Sequence, residues 1–215
     1  MLKINFYFLL LTFPFCLCTG CQDIDTASYR HKSNQQKALL CCETARHIIQ
    51  TGDILTRTGN DLTSATLRKL NRNDQTYSHV GIASIENGIV YIYHAVGGES
   101  NPDEKLKRDR LSQYVNGYDN QGFGIFRFGW NAATKEAVRE QAQNLYKKAI
   151  VFDMAFDLAT DDKLYCTEFV AKTIEKIVHK TNYFKKDTLS GKRYIAPDAI
   201  FLHPECREIK RLRYF

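Results

Sequence analysis

The chain has 215 residues and a formal net charge of +6, with 44% hydrophobic and 25% charged residues, twelve glycines and four prolines. This composition excludes a collagen-like, coiled-coil or wholly disordered chain, and the length fits one domain with a short appendage. A chain near this size buries roughly 70% of the surface its unfolded form exposes, so disulfides are optional for stability.

Within residues 1–22 Lys3 is the sole charge, and Phe6 to Phe15 is an apolar run broken by Pro14. That run is too short to span a bilayer, which takes about 20 residues. A basic start, a short apolar stretch and small residues after it form the pattern of a secretory signal. Thr19 and Gly20 precede Cys21, an arrangement that resembles a lipobox, where bacterial lipoproteins are cut and diacylated. It departs from the usual pattern at Cys18, with Leu17 one place too early. The expected organisation is a lipoprotein signal over 1–20, lipidation of Cys21, a polar tether over 21–32 and a single catalytic domain over 33–215. The anchor implies a bacterial cell envelope location, on the periplasmic or outer-surface side. An uncleaved hydrophobic anchor and plain secretion are the alternatives.

From Ser33, apolar residues at Leu39, Leu40, Cys42, Ala45, Ile48 and Ile49 predict an amphipathic helix opened by a serine cap and broken at Thr51-Gly52-Asp53. Ile54 to Thr58 starts a strand, and Asp61 to Leu70 is a shorter helix. Ser78 to Ile85 and Ile89 to Val96 are β-rich runs around Asn87-Gly88, a strong hairpin signal. Leu106 to Val115 reads as helical, Gly122 to Phe128 as a strand, and Thr134 to Lys148 as a long helix. Tyr165 to Val178 is a helix with Phe169, Val170, Ile174, Ile177 and Val178 inward, and closing strands are expected around Ile195 to Leu202 and Ile209 to Tyr214. Strands clustered between helices predict an α+β domain, an antiparallel sheet or small barrel packed against helices.

Seven cysteines sort by location. Cys16 and Cys18 leave with the signal and Cys21 is lipidated, leaving Cys41, Cys42, Cys166 and Cys206 in an oxidising compartment. If one of them stays free for chemistry, the remaining odd number cannot all pair, and a bridge from Cys41 or Cys42 to Cys206 is open. Among Cys41, Cys42, Cys166 and Cys206 there is no CxxC pair, and the sequence holds no HExxH, so no metal and no cofactor are expected. The basic clusters Lys105, Lys107, Arg108, Arg110 and Lys210, Arg211, Arg213 are interspersed with acids. They fit a solvated surface facing anionic headgroups or an acidic polymer better than nucleic acid.

Cys166 stands where a loop enters a helix. A thiolate there is stabilised by unpaired amides and the macrodipole, which predicts a depressed pKa, and the same amides receive an oxyanion. His79 and His94 are linked by register. A two-residue turn at Asn87-Gly88 pairs Glu86 with Ile89, places His79 opposite Val96, and sets His94 two places along on the same face. Cα atoms of such diagonal neighbours lie about 7 to 8 Å apart, close enough for two imidazoles to meet, whereas a bulge would separate them.

Ser78-His79-Val80-Gly81-Ile82 followed by Tyr93-His94-Ala95 resembles the central hairpin of the NlpC-type papain-like cysteine peptidases, in which the first histidine is the base and the second polar residue orients it. The cysteine helix precedes the hairpin in the usual order and follows it here, which resembles the circularly permuted branch, the YiiX-like permuted papain-like amidases. Gly52-Asp53-Ile54-Leu55, Tyr165-Cys166-Thr167-Glu168-Phe169-Val170 and Ala196-Pro197-Asp198 fit that branch too. The resemblance spans about residues 52–202. His94 departs from it, because YiiX-like members often carry an acid there.

The resemblance implies a Cys-His-His amidase or peptidase: Cys166 attacks a carbonyl, His79 moves the proton and His94 holds the tautomer of His79. The Cys166 amide is one oxyanion donor. Tyr77 and Tyr165 are candidate substrate-binding residues, with packing as the competing role. Asp53 is a candidate for positioning the first strand, with a turn role as its competitor, and Glu168 serves the helix dipole. Expected partners are a peptide or acyl-amide substrate and the membrane, with no nucleic acid. Cell-wall peptides lead. Acyl lipids, as in the lecithin retinol acyltransferase group, and a non-catalytic binding lipoprotein are the alternatives. An apolar cavity would favour acyl chains, and one lined with acids and bases would favour wall peptides.

Overall fold

The computed structural model describes residues 22–98 and 101–214. Six strands form one antiparallel sheet in the order β4-β3-β2-β1-β5-β8, from β1 (Ile54–Gly59), β2 (His79–Glu86), β3 (Ile89–His94), β4 (Lys107–Arg110), β5 (Asn120–Phe128) and β8 (Cys206–Arg213). A separate two-stranded hairpin consists of β6 (Asp187–Leu189) and β7 (Lys192–Tyr194). The helices are α1 (Gln22–Arg46), α2 (Leu62–Arg68), α3 (Leu111–Tyr114), α4 (Ala132–Lys147), α5 (Cys166–Val178) and α6 (Pro197–Phe201). The architecture is the expected α+β class.

Both faces of the sheet are covered, and strand alternation distributes the side chains. Ile54, Val80, Ile82, Tyr93 and Phe126 join Val138 of α4 and Phe169, Val170 and Ile174 of α5 in one core. Leu55, Ala83, Ile92, Phe123 and Ile125 join Ala38 and Ala45 of α1 and Leu111 and Tyr114 of α3 in the other. The hairpin turns where the sequence marks it: Asn87 and Gly88 both take positive φ, 51° and 78°, as a two-residue loop requires.

Three of the expected elements take a different form. Helix α1 begins at Gln22, within the stretch read as a tether, and ends at Arg46. Residues 22–32 carry no Gly or Pro, so a helix nucleated by the packed face around Ala38 and Ala45 extends backward through polar residues without an apolar stripe of its own. Ser33 is therefore within the helix and not its cap. The stretch 106–115 is a strand followed by a short helix, because Lys107–Arg110 pairs with β3 as an edge strand, where charged side chains are tolerated. Residues 197–201 form α6 where a strand was expected, with Pro197 at its first position, where its fixed φ suits a helix.

Cys41 and Cys42 pack on the α1 side and Cys206 on the α5 side of the sheet, and the four cysteines among the described residues are free thiols. The open bridge to Cys206 is thus not formed. The signal over 1–20 and Cys21 lie outside the described residues, and no helix among the described residues is long and apolar enough to cross a membrane.

Candidate active site

The β2–β3 register is the expected one, with Glu86 opposite Ile89 and Ile82 opposite Tyr93. It brings the two imidazoles into contact: His79 Nε2 lies 2.9 Å from His94 Nδ1. Gly81 permits this approach. A Cβ there would lie 2.7 Å from Ile92 Cγ2, 2.9 Å from the Tyr93 carbonyl oxygen and 3.1 Å from His94 Cβ.

The far nitrogen of His94, Nε2, meets Asp109 Oδ2 at 3.0 Å. Asp109 sits opposite Ile92 on β4, on the same face as His94. The sequence reading missed it because it placed 106–115 in a helix. The available signal was that Lys-Arg-Asp-Arg suits a charged edge strand pairing with the second hairpin arm. Bonded to His94, the Asp109 carboxyl is held below its ordinary range. An ionised Asp109 accepts the His94 Nε2 proton, so His94 Nδ1 accepts the His79 Nε2 proton and His79 Nδ1 is left unprotonated. The carboxylate thereby sets the tautomers of both rings and leaves His79 a free base.

Tyr114 braces the pair, its ring 5.8 Å from that of His79 and 5.0 Å from that of His94, while its hydroxyl donates to the Leu55 carbonyl at 3.0 Å. Arg57 stands opposite His79 on β1, donates to the Tyr114 carbonyl at 3.0 Å and lies 4.8 Å over the Tyr114 ring. Burial, then the Arg57 guanidinium, then His94 hold His79 well below 6.5. Burial lowers His94 to about 4 despite its bond to Asp109. Both rings are neutral near pH 7.

Cys166 is the first residue of α5, with Tyr165 as the cap residue. Its sulfur lies near β2 at the residue after His79, where the backbone amides of Val80 and Thr167 favour the thiolate. The β2–β3 ladder reaches only Ile82–Tyr93, so the thiol approaches where the two strands part. Among the described residues no thiol–imidazole hydrogen bond joins Cys166 to His79. The expected depression of its pKa is not found. Burial pushes the thiol up to about 11, outweighing the amides and Arg57, because the same packing that aims the amides at the sulfur removes the water a thiolate needs.

The elements around the site are held by the other residues of the matching motifs. Asp53 is buried in an ion pair with Arg127, with Nε to Oδ1 at 2.7 Å, and accepts the Gln50 amide at 2.7 Å. Asp198 accepts the amides of Arg72 and Asn73 at 2.8 and 2.7 Å, organising the loop that leads into His79. Glu168 accepts the Tyr165 amide at 3.3 Å and meets Lys172 at 2.8 Å, and its burial raises it to about 7.

A cavity of about 340 Å³ opens beside Cys166, walled mainly by apolar groups: Leu67 and Leu70 of α2 and its C-terminal end, Phe156, Tyr165, Leu189, Tyr194 and Ile195. Tyr165 lines it, with its hydroxyl accepting the Ile195 amide at 3.1 Å. Tyr77 does not. Its ring is buried edge-on against Phe126 and Phe201, and burial raises its hydroxyl to about 12. Ser78, pointing the other way along the chain, reaches the cavity instead. The β6–β7 hairpin that supplies Leu189 and Tyr194 was not anticipated.

Comparison with known proteins bears on the fold. A solved structure, described as metalloprotein YiiX from Escherichia coli O157:H7 (DUF1105), superposes with a TM-score of 0.61 at 20% identity, covering 75% of this chain and 97% of that one. The chain thus has a YiiX-like fold. No family model matches the sequence, and no curated protein matches it. The metal in that description belongs to that protein. Among the described residues here, no three His, Cys, Asp or Glu side chains converge to hold a metal ion, and His79, His94 and Asp109 form a line of mutual hydrogen bonds in place of a ligand set.

Proposed function

We propose that the protein is a cysteine hydrolase that cleaves an amide or ester whose acyl part lies in the cavity beside Cys166. The observation that carries this reading is the His79–His94–Asp109 chain next to a thiol at a helix N-terminus that opens into an apolar cavity. As substrate enters, the thiol passes its proton to His79 Nδ1 while sulfur bonds to the carbonyl carbon, and the oxyanion meets the Cys166 amide. The imidazolium returns that proton to the leaving nitrogen or oxygen, the carbonyl re-forms, and water then releases the acyl group from sulfur by the same route. His94 and Asp109 hold the base in its reactive tautomer and spread the charge that His79 gains. The thiol is neutral at rest, so the nucleophile forms by general-base catalysis during attack.

By the criterion of cavity lining, the walls favour acyl chains over wall peptides, and acyl lipids or lipid-linked amides become the leading substrates. Location at the cell envelope through a lipid on Cys21 belongs to this proposal. It is tested by detergent-phase partition of the wild type and Cys21→Ser, with loss of partition and acyl mass expected for the variant. The activity is tested by incubating wild type and Cys166→Ala with bacterial lipid extract and with peptidoglycan digests, and reading both by mass spectrometry. The proposal expects new free acyl products from lipid with the wild type alone. Products from the digests alone would return wall peptides to first place, and none from either would overturn the enzyme reading.

A further inference from the structure

We propose that a second cavity, on the other side of α2 from Cys166, binds a compact oxyanion such as a phosphate group. It has a volume of about 220 Å³ and lies against β1, β5 and β8, with Thr58, Arg68, Thr76, Gln121 and Arg213 on its walls. No Asp or Glu lines it.

Two arginines from elements far apart in sequence, α2 and β8, line this one cavity. Among the described residues neither has a carboxylate within 4.0 Å. The neighbouring Arg211, two residues from Arg213 on the same strand, is paired with both Asp74 and Glu208 at 2.7 Å. Two like charges on the walls of one cavity repel each other, and a ligand carrying one or two negative charges offsets that cost. Guanidinium groups present forked N–H pairs that match phosphate or carboxylate oxygens bidentately. The Gln121 amide, the Thr76 hydroxyl and the absence of acids complete the lining. Thr58 Oγ1 already donates its proton to the Thr76 carbonyl at 2.8 Å, so the arginines and Gln121 supply the donors.

This site stands apart from the reading of Cys166. α2 separates the two spaces, turning Leu67 and Leu70 to the apolar cavity and Arg68 to this one, and consecutive residues Tyr77 and Ser78 line one each. The binding site would hold whether or not the thiol is catalytic.

Titration calorimetry of the full chain with inorganic phosphate and with glycerol 3-phosphate, at constant ionic strength set with chloride, tests it. The proposal expects one saturable site. Arg68→Gln and Arg213→Gln should each weaken it at least about tenfold, and the double variant should remove it. Arg207→Gln, on the same strand but away from the cavity, should leave it unchanged. Tighter binding of glycerol 3-phosphate marks the phosphate of a larger ligand, and equal binding marks a free anion. If either glutamine variant does not fold, judged by its thermal melt without phosphate, Arg68→Lys and Arg213→Lys keep the charge, lose the fork and should weaken binding by a smaller factor. No saturable heat, or binding that survives the double variant, overturns the proposal.

Discussion

The two sides of Cys166 are built on opposite principles. Toward β2 and β3 the site is a line of polar groups, His79, His94 and Asp109, each bonded to the next and braced by Tyr114. Toward α2 and the β6–β7 hairpin it is an apolar hollow with few hydrogen-bonding groups. The polar side fixes atoms to within a hydrogen bond, and in the proposed function it carries the reaction. The apolar side fixes only volume, and in the proposed function it selects for bulk. The proposed chemistry and substrate choice should therefore be separable by mutation.

The largest effects belong to the polar side. Cys166→Ala and His79→Ala should each abolish turnover, and the double variant should be no worse than either, since members of one catalytic unit are not additive. A double variant much slower than both singles in steady-state kinetics would separate the two residues. His94→Ala should cost on the order of a hundredfold, about 2.7 kcal/mol in the barrier. His94→Gln should recover part of it, because its amide oxygen can still accept the His79 Nε2 proton. Asp109→Asn should cost less than His94→Ala, as it acts one step further from the base. An Asp109 variant worse than its His94 counterpart, with both folded, would reverse the order of the chain.

The apolar side should show itself as a graded dependence. Each methylene added to an acyl substrate contributes about 0.8 kcal/mol when buried, so kcat/KM should rise roughly fourfold per methylene until the cavity is full. Leu70→Asn should flatten that slope without adding a charge, leaving the pH profile unmoved. A flat series in the wild type would mean the hollow does not hold the acyl chain.

Protonation gives smaller effects whose sign follows from burial. The relay needs neutral imidazoles, and both histidines are lowered, so the acid limb of kcat/KM should lie well below pH 6.5. Arg57→Gln should move it upward, since the guanidinium opposes protonation of His79. Stability follows the same logic. An unfolded histidine protonates near 6.5 and folded His94 near about 4, so between these values the unfolded chain binds more protons and stability falls as pH falls. The melting temperature should drop from pH 7 to pH 4.5, and His94→Gln should reduce that drop. A raised thiol pKa also predicts slow iodoacetamide labelling of Cys166 at pH 6.5, with the rate climbing toward high pH. Fast labelling at pH 6.5 would mean a preformed thiolate.

The polar side was largely legible in the sequence because hairpin register is arithmetic. Asn87-Gly88 fixes the turn, and the turn fixes which residues face each other, so His79 and His94 could be joined before any coordinates. Asp109 was not legible, because a four-residue edge strand of charged residues has no hydrophobic period to reveal it. The thiol's pKa failed for another reason. The helix N-terminus is a local feature readable from spacing, whereas desolvation depends on packing from α2, β2 and the 189–195 segment, and here it outweighs the local effect. The apolar hollow was illegible for the same cause, since Leu67, Phe156, Leu189 and Ile195 are scattered along the chain and meet only through the fold.

The most direct test of the account uses p-nitrophenyl esters of increasing acyl length, followed by intact-protein and peptide mass spectrometry during turnover. The account predicts a transient acyl adduct on Cys166 that forms faster as the chain lengthens, is absent in Cys166→Ala and is lost or greatly slowed in His79→Ala. An adduct on Cys41, Cys42 or Cys206, or one on Cys166 that forms equally fast without His79, would contradict it.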